Sequence, residues 1–401
     1  MNPDDVVIVA AQRTPLGSFQ GCFSTVLASD LAGAAHRAVL RQAGLQGSEL
    51  DEVLTGCVLQ AGQGQAPARQ AAFAAGIPES VPATTLNKMC GSGMKAVMMA
   101  YDAVKAGSAT IVLAGGMENM TQAPYLLPKA RSGYRLGHGE LKDHLLLDGL
   151  EDAYEPGRLM GAFADDTATT LQMTREAQDA YAKRSMTRAL QAQEQGYFNE
   201  EITPITLQTK QGELCITQDE SPHPEKLNKL PRLRPAFSTK GTVTAGNSSS
   251  IADGAASLLL MTAQEASRRG IEPLARIVAY ASHAQAPSEF TTAPIQAIQK
   301  VLQKAKLQPE DIDLYEINEA FAVVAMAAIE ALRLNPDKVN IHGGACALGH
   351  PIGASGARIL TTLIYALKQH HKKLGLAALC IGGGEATAMI IESLVDKERP
   401  C

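Results

Sequence analysis

Apolar runs alternate with amphipathic helical patterns along most of this chain, which predicts packed layers of strands and helices. The runs that begin at Val6, Ile111 and Leu376 are rich in aliphatic residues and alternate little with polar ones. Runs of this kind are typical of strands that are covered on both faces. The segments after Cys90 and Gly353 instead repeat apolar residues at helical spacing. The pattern therefore predicts a fold of the α/β class.

Four segments occur twice, in the same order. VVIVAAQRTP at the start resembles ARIVAYASHA from Ala275, and SELDEVLTG from Ser48 resembles EDIDLYEIN from Glu310. In each copy a helical run then leads into an apolar strand that ends in glycines. Any two α/β segments share some pattern, so chance similarity is the alternative, but the shared order favours a duplication. We predict an N-terminal half, residues 1–121 with 250–274, and a C-terminal half, residues 275–401.

Residues 122–249 do not fit the repeat, and we predict that they form an inserted domain. They contain a polar stretch with glycines (KARSGYRLGHGELKDH), a predicted helix (TREAQDAYAKRSMTRALQAQEQG) and a proline-rich segment (SPHPEKLNKLPRLRPAF). Long insertions between the elements of a fold are often functional. We expect this insertion to fold over a ligand.

The composition and charge of the chain argue against two classes of binding partner, nucleic acids and membranes. Of the 401 residues, 45% are apolar and 19% are charged, as in an ordinary globular protein. A formal net charge of −5 provides no broad basic surface for nucleic acid or an anionic membrane. The chain has no uninterrupted apolar window of about 18 residues, and its acidic start is unlike a targeting peptide. We therefore expect a cytoplasmic protein without a nucleic-acid or membrane partner.

The cysteines predict free thiols rather than disulfides. Their number is odd, their spacing is irregular and no CxxC pair occurs, which supports neither a disulfide framework nor a zinc site. Free thiols are typical of a reducing compartment. The seven cysteines are Cys22, Cys57, Cys90, Cys215, Cys346, Cys380 and Cys401.

Three glycine-rich segments each carry one reactive side chain: Cys90 in NKMCGSG, His350 in GHPIGASG and Cys380 in CIGGG. Cys90 precedes a predicted helix, whose N-terminus favours a thiolate, and His350 precedes a proline, which predicts a loop. Taken singly, a buried structural cysteine and an idle loop histidine are the common alternatives. The glycines after Cys380 fit no GxGxxG nucleotide loop, and no Walker lysine follows. Together the three groups suit carbon–carbon bond chemistry through an acyl-thioester on the enzyme.

Asn318 follows the predicted strand IDLYEI and begins the apolar run NEAFAVVAMAAIEAL. It is placed to cap the helix predicted for this run. Alternatively, its amide holds a water that donates a hydrogen bond to an oxyanion. The sequence leaves both roles open.

Five segments resemble the signature motifs of the thiolase family: NKMCGSG, GGMENM, INEAFA, GGACALGHPIGASGAR and CIGGGEATAM. They occur in the family's order, and the resemblance, which includes TVTAGNSSSIADGAA from Thr242, covers essentially the whole chain. It implies a thiolase-like α-β-α-β-α sandwich of two duplicated halves with an inserted loop domain. The stretch DGLEDAY and the overall length are most similar to acetyl-CoA C-acetyltransferases of the biosynthetic type.

The resemblance also implies a role for each reactive group. Cys90 would be the nucleophile that carries the acyl group as a thioester, and His350 would be the base that activates it. Cys380 would be the acid/base that moves the α-proton of the second substrate. Asn318 would position a water that forms one oxyanion hole with His350, and the backbone N–H groups of Cys90 and Gly382 would form the other.

By the same resemblance the substrates are coenzyme A thioesters, held mainly by the loop domain, without a metal or another cofactor. The implied partners are acetyl-CoA, acetoacetyl-CoA and free CoA, and the implied assembly is a homotetramer built as a dimer of dimers. The residues implied to bind the substrate are Leu159, Met160, Phe237, Ala245, Ser249, Ala320 and Phe321.

The chain departs from the family pattern at several positions. Leu159 stands where many biosynthetic members have histidine, which leaves the acyl selectivity open. An arginine that relatives often place near the adenine of CoA is missing after Glu220, where His223, Arg232 and Arg234 are candidate substitutes. Further departures are His342, Cys346, which we expect to pack behind His350, and Glu385, to which we assign no role.

The sequence suggests two functions and disfavours two others. The leading hypothesis is an acetyl-CoA C-acetyltransferase, which condenses two acetyl-CoA to acetoacetyl-CoA reversibly, by ping-pong kinetics, through acetyl-Cys90. The second is a degradative 3-ketoacyl-CoA thiolase that accepts longer chains. A non-catalytic acyl-CoA-binding protein of this fold is disfavoured because all four reactive residues are present. A ketoacyl synthase is disfavoured by the second cysteine in CIGGG.

Overall fold

The computed structural model describes residues 1–210 and 212–395. The C-terminal half predicted from the sequence extends to residue 401, so residues 396–401, including Cys401, lie outside the described part. The strands, in chain order, are β1 (Val6–Arg13), β2 (Gly17–Ser18), β3 (Glu52–Gly56), β4 (Ala83–Leu86), β5 (Val112–Asn119), β6 (Tyr125–Leu126), β7 (Lys142–Asp143), β8 (Ile205–Thr209), β9 (Gly212–Ile216), β10 (Ala252–Thr262), β11 (Ala275–Ala284), β12 (Leu314–Ile317), β13 (Leu374–Ile381) and β14 (Glu385–Ser393).

The helices lie between these strands. In chain order they are α1 (Ala28–Ala43), α2 (Pro67–Ala74), α3 (Ser92–Lys105), α4 (Met160–Thr170), α5 (Arg175–Glu194), α6 (Pro224–Lys229), α7 (Ala263–Arg269), α8 (Ala293–Ala305), α9 (Ala322–Ala331), α10 (Ala345–Leu348) and α11 (Ser355–Gln369). Short 3₁₀ turns are formed by Gly47–Glu49, Leu230–Arg232, Pro287–Glu289, Pro309–Asp311 and Pro336–Lys338, and a π-helical turn by Leu146–Leu150.

Within the described residues, ten strands form one continuous sheet in the order β12-β13-β14-β11-β1-β10-β5-β3-β4, with β2 beside β10. The connection in its middle is narrow, because β1 and β11 pair only at Val7–Arg276 and Ile8–Ala275. We call the strands on the β1 side of this junction the N arm and those on the β11 side the C arm. The sheet therefore consists of two arms joined over a short distance.

The two arms have the same strand order and the same strand directions. Outward from the junction, the N arm runs β1-β10-β5-β3 and the C arm runs β11-β14-β13-β12. In each arm the first two pairings are antiparallel and the third is parallel. The four repeated segments of the sequence become β1 and β11, β3 and β12, α3 and α11, and β5 and β13. The predicted duplicated α/β fold is confirmed, while the residue limits of the halves and of the insertion stay predictions.

Helices cover both faces of each arm, so that the fold has five layers. Helices α3 and α11 lie between the arms, where Met94 and Leu363 pack with Leu258 of the N arm and Met389 of the C arm. Helices α1 and α2 cover the outer face of the N arm, and α8 and α9 cover that of the C arm. Central strands such as β5, buried at every position, are thereby removed from water on both faces, which stabilises aliphatic runs.

The two central helices touch through backbone atoms in their first turns. A Cβ atom added to Gly356 of α11 would lie 2.4 Å from the backbone nitrogen of Met94 in α3. One added to Gly93 of α3 would lie 2.8 Å from the backbone nitrogen of Ala357. Both distances are well below van der Waals contact, so only glycine allows this approach. The contact places the segments that precede α3 and α11 side by side.

The residues between β5 and β10 contribute no strand to the large sheet in the part of the chain that the structure describes. They form two small hairpins, β6–β7 and β8–β9, and the helices α4, α5 and α6. The helix predicted from TREAQDAYAKRSMTRALQAQEQG becomes α5, and Thr174 caps it by accepting a hydrogen bond from the Ala177 N–H. Residues 129–141 of the polar stretch are exposed. No helix in residues 1–210 and 212–395 is both long and apolar enough to cross a membrane.

A buried ion-pair network attaches β1 to the residues that follow α5. Arg13, which is fully buried, contacts Asp219 at 2.7 Å and Glu201 at 2.5 Å. Burial opposes the guanidinium charge, but the two carboxylates outweigh it and raise the pKa of Arg13. Removing one partner of such a network typically costs about 3–5 kcal/mol, because a buried charge is left unpaired. The network therefore holds the segment that follows α5 against the end of β1.

We expect Gly356→Ala to destabilise the protein. Alanine ordinarily favours a helix over glycine by about 1 kcal/mol. Here its Cβ would meet the backbone of α3, and overpacking of this kind typically costs about 1–3 kcal/mol. The free energy of unfolding, measured by denaturant titration of the wild type and the variant, checks this. A variant at least as stable as the wild type would contradict the close contact of the two helices.

Candidate active site

Cys90 lies in a turn between β4 and α3, which we call the Cys90 loop (residues 87–91). Met89, immediately before it, has a φ of 47°, which is uncommon for a residue other than glycine. Ser92 holds this turn, since its hydroxyl donates to the Met89 carbonyl at 2.7 Å and accepts from the Lys88 N–H at 2.8 Å. Backbone strain of this kind persists at functional sites when neighbouring contacts enforce it. The turn presents Cys90, partly exposed, at the N-terminus of α3.

Cys380 is brought next to Cys90 by a close contact between their segments. It lies near the end of β13 and is fully buried. A Cβ atom on Gly91 would lie 2.4 Å from Cδ1 of Ile381, so the glycine beside Cys90 makes room for the end of this strand. Burial, and then the charge of Cys90, raise the pKa of Cys380 well above its usual range. Cys90 is therefore close enough for its charge to influence the ionisation of Cys380.

Burial dominates the ionisation of Cys90. It raises the pKa of the thiol to about 11, although the backbone N–H groups of Gly382 and of Cys90 itself lower it. The N–H group of Cys90 at the helix N-terminus thus favours the thiolate, as expected, but desolvation is the larger effect and sets the net direction. Cys90 stays a thiol near neutral pH and requires a base. The two N–H groups that act on its sulfur are those expected to form an oxyanion hole.

His350 lies in the segment that leads into α11, which we call the His350 loop (residues 349–354). Its Nδ1 is 2.5 Å from the hydroxyl of Ser355, and that hydroxyl donates to the Pro351 carbonyl at 2.8 Å. A serine hydroxyl has one hydrogen, so it accepts the hydrogen bond from Nδ1–H. Nε2 of His350 is therefore the nitrogen that is free to take a proton. Sequence reasoning missed Ser355, whose one signal is its place five residues after His350.

Nε2 of His350 faces Asn318, whose Nδ2 lies at 3.4 Å. Burial, and to a smaller extent the charge of Arg358, lower the pKa of His350 to about 3, so the imidazole is neutral at physiological pH. Oδ1 of Asn318 is buried and has no hydrogen-bond partner among the described residues. The alternative role of Asn318 as a helix cap is wrong, because α9 begins at Ala322 and Phe321 occupies its N-cap.

Glu319, the next residue, joins this site to helix α5. Its fully buried carboxylate accepts hydrogen bonds from Tyr181 at 2.9 Å and Ser185 at 2.7 Å, both of α5. It also accepts from the Asn340 side chain at 2.8 Å and from the Cys346 N–H at 3.0 Å. Asn318 and the segment that leads to His350 are thereby held by one carboxylate. The sequence signal for Glu319 is an acidic residue between a buried strand and an apolar helix.

A cavity of about 520 Å³ opens beside these groups. Gly382 lies close to Met160 of the cavity lining, since a Cβ atom added there would be 3.6 Å from Sδ of Met160. Of the seven residues expected to bind substrate, Ala320 packs with Phe321 and Cys380 in one apolar cluster. The other six line the cavity together with His350: Leu159, Met160, Phe237, Ala245, Ser249 and Phe321. The structure thus places six of the seven expected substrate-binding residues on the cavity that His350 lines, and the seventh, Ala320, in a cluster beside it.

Lys226 is the one cationic side chain among the described residues that line this cavity. Its Nζ donates to the carbonyl and the hydroxyl of Ser221 at 2.7 and 2.9 Å. The candidate substitutes for the missing arginine, His223, Arg232 and Arg234, are not part of this described lining. Sequence reasoning missed Lys226, because only the short helix α6 turns it towards the cavity. Within residues 1–210 and 212–395, no group of three or more His, Cys, Asp or Glu side chains is placed to hold a metal ion.

An ion pair between Lys88 and Glu385 links the Cys90 loop to the first residue of β14. Lys88 lies two residues before Cys90, and Glu385 follows the glycines of CIGGG, which supply the Gly382 N–H. Both side chains are partly exposed, and exposed ion pairs contribute at most about 1 kcal/mol. The pair nevertheless joins the two segments whose N–H groups act on Cys90. The sequence gives no sign of it, because the partners are 297 residues apart.

Comparison with known proteins assigns this arrangement to a family. The family model described as "Thiolase, N-terminal domain" matches residues 6–264, and the one described as "Thiolase, C-terminal domain" matches residues 271–393. Together the two matches span nearly the whole chain. The chain therefore belongs to the thiolase family and is an acyltransferase.

Individual relatives match this chain over nearly their whole length. The chain is 47% identical over 388 residues to a probable acetyl-CoA acyltransferase of Staphylococcus aureus (strain COL), which covers 96% of this chain and 98% of that protein. It is 46% identical to the protein of the same description in strain MRSA252, with the same coverage. The crystal structure of the Bacillus anthracis acetyl-CoA acetyltransferase matches with a TM-score of 0.95 and 42% identity, over 97% of this chain and 99% of that one.

We expect Ser355→Ala to lower kcat by about 10- to 100-fold, which corresponds to the roughly 1–3 kcal/mol that an unsatisfied buried donor costs. Without the hydroxyl, Nδ1–H of His350 loses its acceptor and the ring is no longer held with Nε2 free. Steady-state acyl transfer, with a thermal melt to verify folding, measures this. Thr361→Val in the same helix is the matched control, because its hydroxyl donates only to the Ala357 carbonyl. Equal losses in both variants would contradict the orienting role of Ser355.

Proposed function

We propose that this protein is an acetyl-CoA C-acetyltransferase, which condenses two molecules of acetyl-CoA to acetoacetyl-CoA and CoA in a reversible Claisen condensation. The observation that carries the proposal is that two thiols and a neutral imidazole lie around one cavity. His350 lines the cavity itself. Cys90 packs in a cluster with Ile352, and Cys380 in a cluster with Phe321, and both of these partners line the same cavity. The names of the Staphylococcus aureus and Bacillus anthracis relatives refer to acetyl-CoA and support this class of substrate.

In the first half-reaction, Sγ of Cys90 attacks the thioester carbonyl carbon of acetyl-CoA, and its proton passes to Nε2 of His350. The carbon–sulfur bond to CoA breaks, and CoA leaves as a thiol with the proton of Cys380. The products are acetyl-Cys90, free CoA, an imidazolium at His350 and a thiolate at Cys380. An imidazole with Nε2 free and a thiol kept protonated by burial suit these two roles.

In the second half-reaction, the Cys380 thiolate takes an α-proton from a second acetyl-CoA. The enolate carbon attacks the carbonyl carbon of acetyl-Cys90, the bond to Sγ breaks, and Cys90 recovers its proton from His350. Burial is the largest cause that holds the pKa of Cys380 well above its usual range. The thiolate that the first half-reaction leaves on Cys380 is therefore a strong base for the α-proton.

Two sets of donors would stabilise the oxyanions of these steps. The N–H groups of Cys90 and Gly382, which act on the sulfur of Cys90, suit the oxyanion of the acyl-enzyme. A water bound to Oδ1 of Asn318, together with Nε2–H of His350, suits the enolate. Losing one such donor typically costs about 3–4 kcal/mol of transition-state stabilisation. The proposed steps use no metal ion and no cofactor besides the CoA thioesters.

We also propose that the protein is a homotetramer built as a dimer of dimers. Strand β4 forms an edge of the large sheet in the described residues, and its side chains are at most half-buried. Large apolar side chains after β5 are exposed, among them Tyr125, Leu127, Leu136 and Leu141. Exposed sheet edges and clustered apolar side chains are usually covered in assemblies, which supports the proposal.

We expect Cys90→Ala to lower acyl transfer by at least about 10⁴-fold, because the nucleophile is removed. Mass spectrometry after incubation with acetoacetyl-CoA should find one added acetyl group on Cys90 of the wild type and none in the variant. Cys215→Ala is the control, since Cys215 is an exposed thiol on β9, and it should keep both acetylation and turnover. A fully active Cys90→Ala protein would exclude the mechanism.

A degradative 3-ketoacyl-CoA thiolase of broader chain length is the second candidate. Leu159 favours it, because this apolar side chain lines the cavity beside Met160 where a histidine would make the wall polar. The name of the Bacillus anthracis relative, an acetyl-CoA acetyltransferase, favours the first candidate, whereas the name acetyl-CoA acyltransferase of the Staphylococcus aureus relatives fits both.

The preference for acyl length separates the two candidates. In thiolysis by free CoA, we expect kcat/KM to be highest for acetoacetyl-CoA. For 3-ketohexanoyl- and 3-ketooctanoyl-CoA it should be lower by a factor of at least about ten, because pockets discriminate by about 1–3 kcal/mol per misplaced methylene. Leu159→Ala widens the cavity and should reduce this difference, whereas Leu214→Ala on the exposed hairpin should not. Equal or faster rates on the longer substrates in the wild type would establish the second candidate.

A further inference from the structure

We propose that Glu118 is a positioning residue, whose ionised carboxylate holds the His350 loop in the geometry that acyl transfer requires. The proposal deepens the proposed function and depends on it, because it assumes that His350 is the base for Cys90. Glu118 belongs to GGMENM in the sequence and lies on β5, where it is fully buried. None of the catalytic steps described above uses it.

The carboxylate of Glu118 joins two loops. Its Oε2 accepts hydrogen bonds from the Gly353 N–H at 2.8 Å and the Val58 N–H at 3.1 Å. Its Oε1 accepts from the Leu59 N–H at 3.1 Å and from the thiol of Cys57 at 3.7 Å. Each oxygen thus faces two donors. Hydrogen bonds to an ionised acceptor are the strong ones, and three of these four fix backbone.

Gly353 connects the hydrogen bonds of the Glu118 carboxylate to the active site. It lies three residues after His350 and two residues before Ser355, which orients the imidazole. Its carbonyl oxygen is so close to β5 that a Cβ atom on Gly116 would lie 2.1 Å from it. Because its N–H donates to Glu118 and its carbonyl oxygen lies against Gly116, the backbone of Gly353 is fixed on both sides. A displaced Gly353 would move the imidazole and its serine together, away from Cys90.

A protonated Glu118 cannot keep this arrangement. The added proton would lie on an oxygen that faces an N–H donor, and of the four partners only the sulfur of Cys57 can accept it. At least one backbone hydrogen bond is then weakened or lost. An amide at this position has the same defect, because its NH₂ group would face two donors. Glu118→Gln therefore mimics the protonated acid in shape and charge.

Titration of Glu118 falls in an accessible pH range. Burial raises the pKa of this carboxyl to about 7, although its four hydrogen bonds act in the opposite direction. The titratable groups that it influences are Cys57, whose pKa is raised well above its usual value, and Cys90, whose pKa is raised to about 11. His350 is neutral down to about pH 3. Of these groups, Glu118 alone changes its charge near neutral pH.

The direction of the pH effect separates positioning from simple electrostatics. If the carboxylate holds the loop, kcat increases as pH rises through the pKa of Glu118. The charge of Glu118 also raises the pKa of Cys90 and disfavours its thiolate. An effect through charge alone would therefore make kcat decrease as Glu118 ionises, which is the opposite sign.

The test is the pH profile of kcat and KM for thiolysis of acetoacetyl-CoA by free CoA, from about pH 6 to pH 8.5. For the wild type we expect kcat to fall towards low pH with an apparent pKa near that of Glu118, with little change in KM. For Glu118→Gln we expect a kcat at least about tenfold below the wild type at pH 8 and no such fall. Glu79→Gln, an exposed carboxyl, is the control and should keep the wild-type profile.

Cys57→Ala keeps the test decisive if Glu118→Gln does not fold. The Cys57 thiol lowers the pKa of Glu118, so its removal should move the fall in kcat to higher pH. A wild-type kcat that is flat or rises towards low pH overturns the proposal, as does a Glu118→Gln enzyme that retains the fall, or a Cys57→Ala profile that does not move.

Detection of acetyl-Cys90 in the wild type at pH 8 separates this proposal from the proposed function. If acetyl-Cys90 forms and turnover is normal, a flat profile overturns only the role of Glu118. If no acetyl-Cys90 forms and no substrate is turned over, the proposed function fails and the role of Glu118 fails with it.

Discussion

The backbone contact between the first turns of α3 and α11 is the constraint on which the rest of the site depends. Gly93 and Gly356 lack the Cβ atoms that would separate the two helices. The segment before α3 carries Cys90, and the segment before α11 carries His350, so the contact that joins the helices also brings together the proposed nucleophile and its proposed base. The five-layer fold supports this contact, because each central helix packs against both arms of the sheet.

Burial keeps this site uncharged at rest. It raises the pKa of both thiols and lowers that of His350, so that a thiol–imidazole arrangement, rather than a thiolate–imidazolium pair, is the stable form. In the proposed mechanism charge develops only when a thioester is present, and the N–H groups that act on Cys90 are already in place to stabilise it. The buried carboxylates Glu118 and Glu319 serve a different purpose, since they accept hydrogen bonds from the loops that carry these groups.

Local patterns predicted much of this architecture. Aliphatic runs and glycine-rich turns are signals that a few adjacent residues carry, and they identified the α/β class, the duplicated segments and the segments of Cys90, His350 and Cys380. The residues that hold these groups in place were not predictable. Ser355, Glu118 and Glu319 act through hydrogen bonds to parts of the chain whose proximity only the fold creates. The pKa of Cys90 shows the same division: the helix N-terminus, which favours the thiolate, is a local property that the sequence reveals, whereas the burial that outweighs it is created by the fold.

The proposed nucleophile and its proposed base belong to different arms of a duplicated fold. A chain synthesised only as far as β10 contains Cys90, but it lacks His350, Cys380 and the Gly382 N–H. Such a chain lacks groups that the proposed mechanism assigns to activating the Cys90 thiol and to binding the oxyanion. Under this mechanism, reactivity towards acyl thioesters depends on folding of the last third of the chain. The division of the site between the arms then links acyl transfer to the synthesis of both arms.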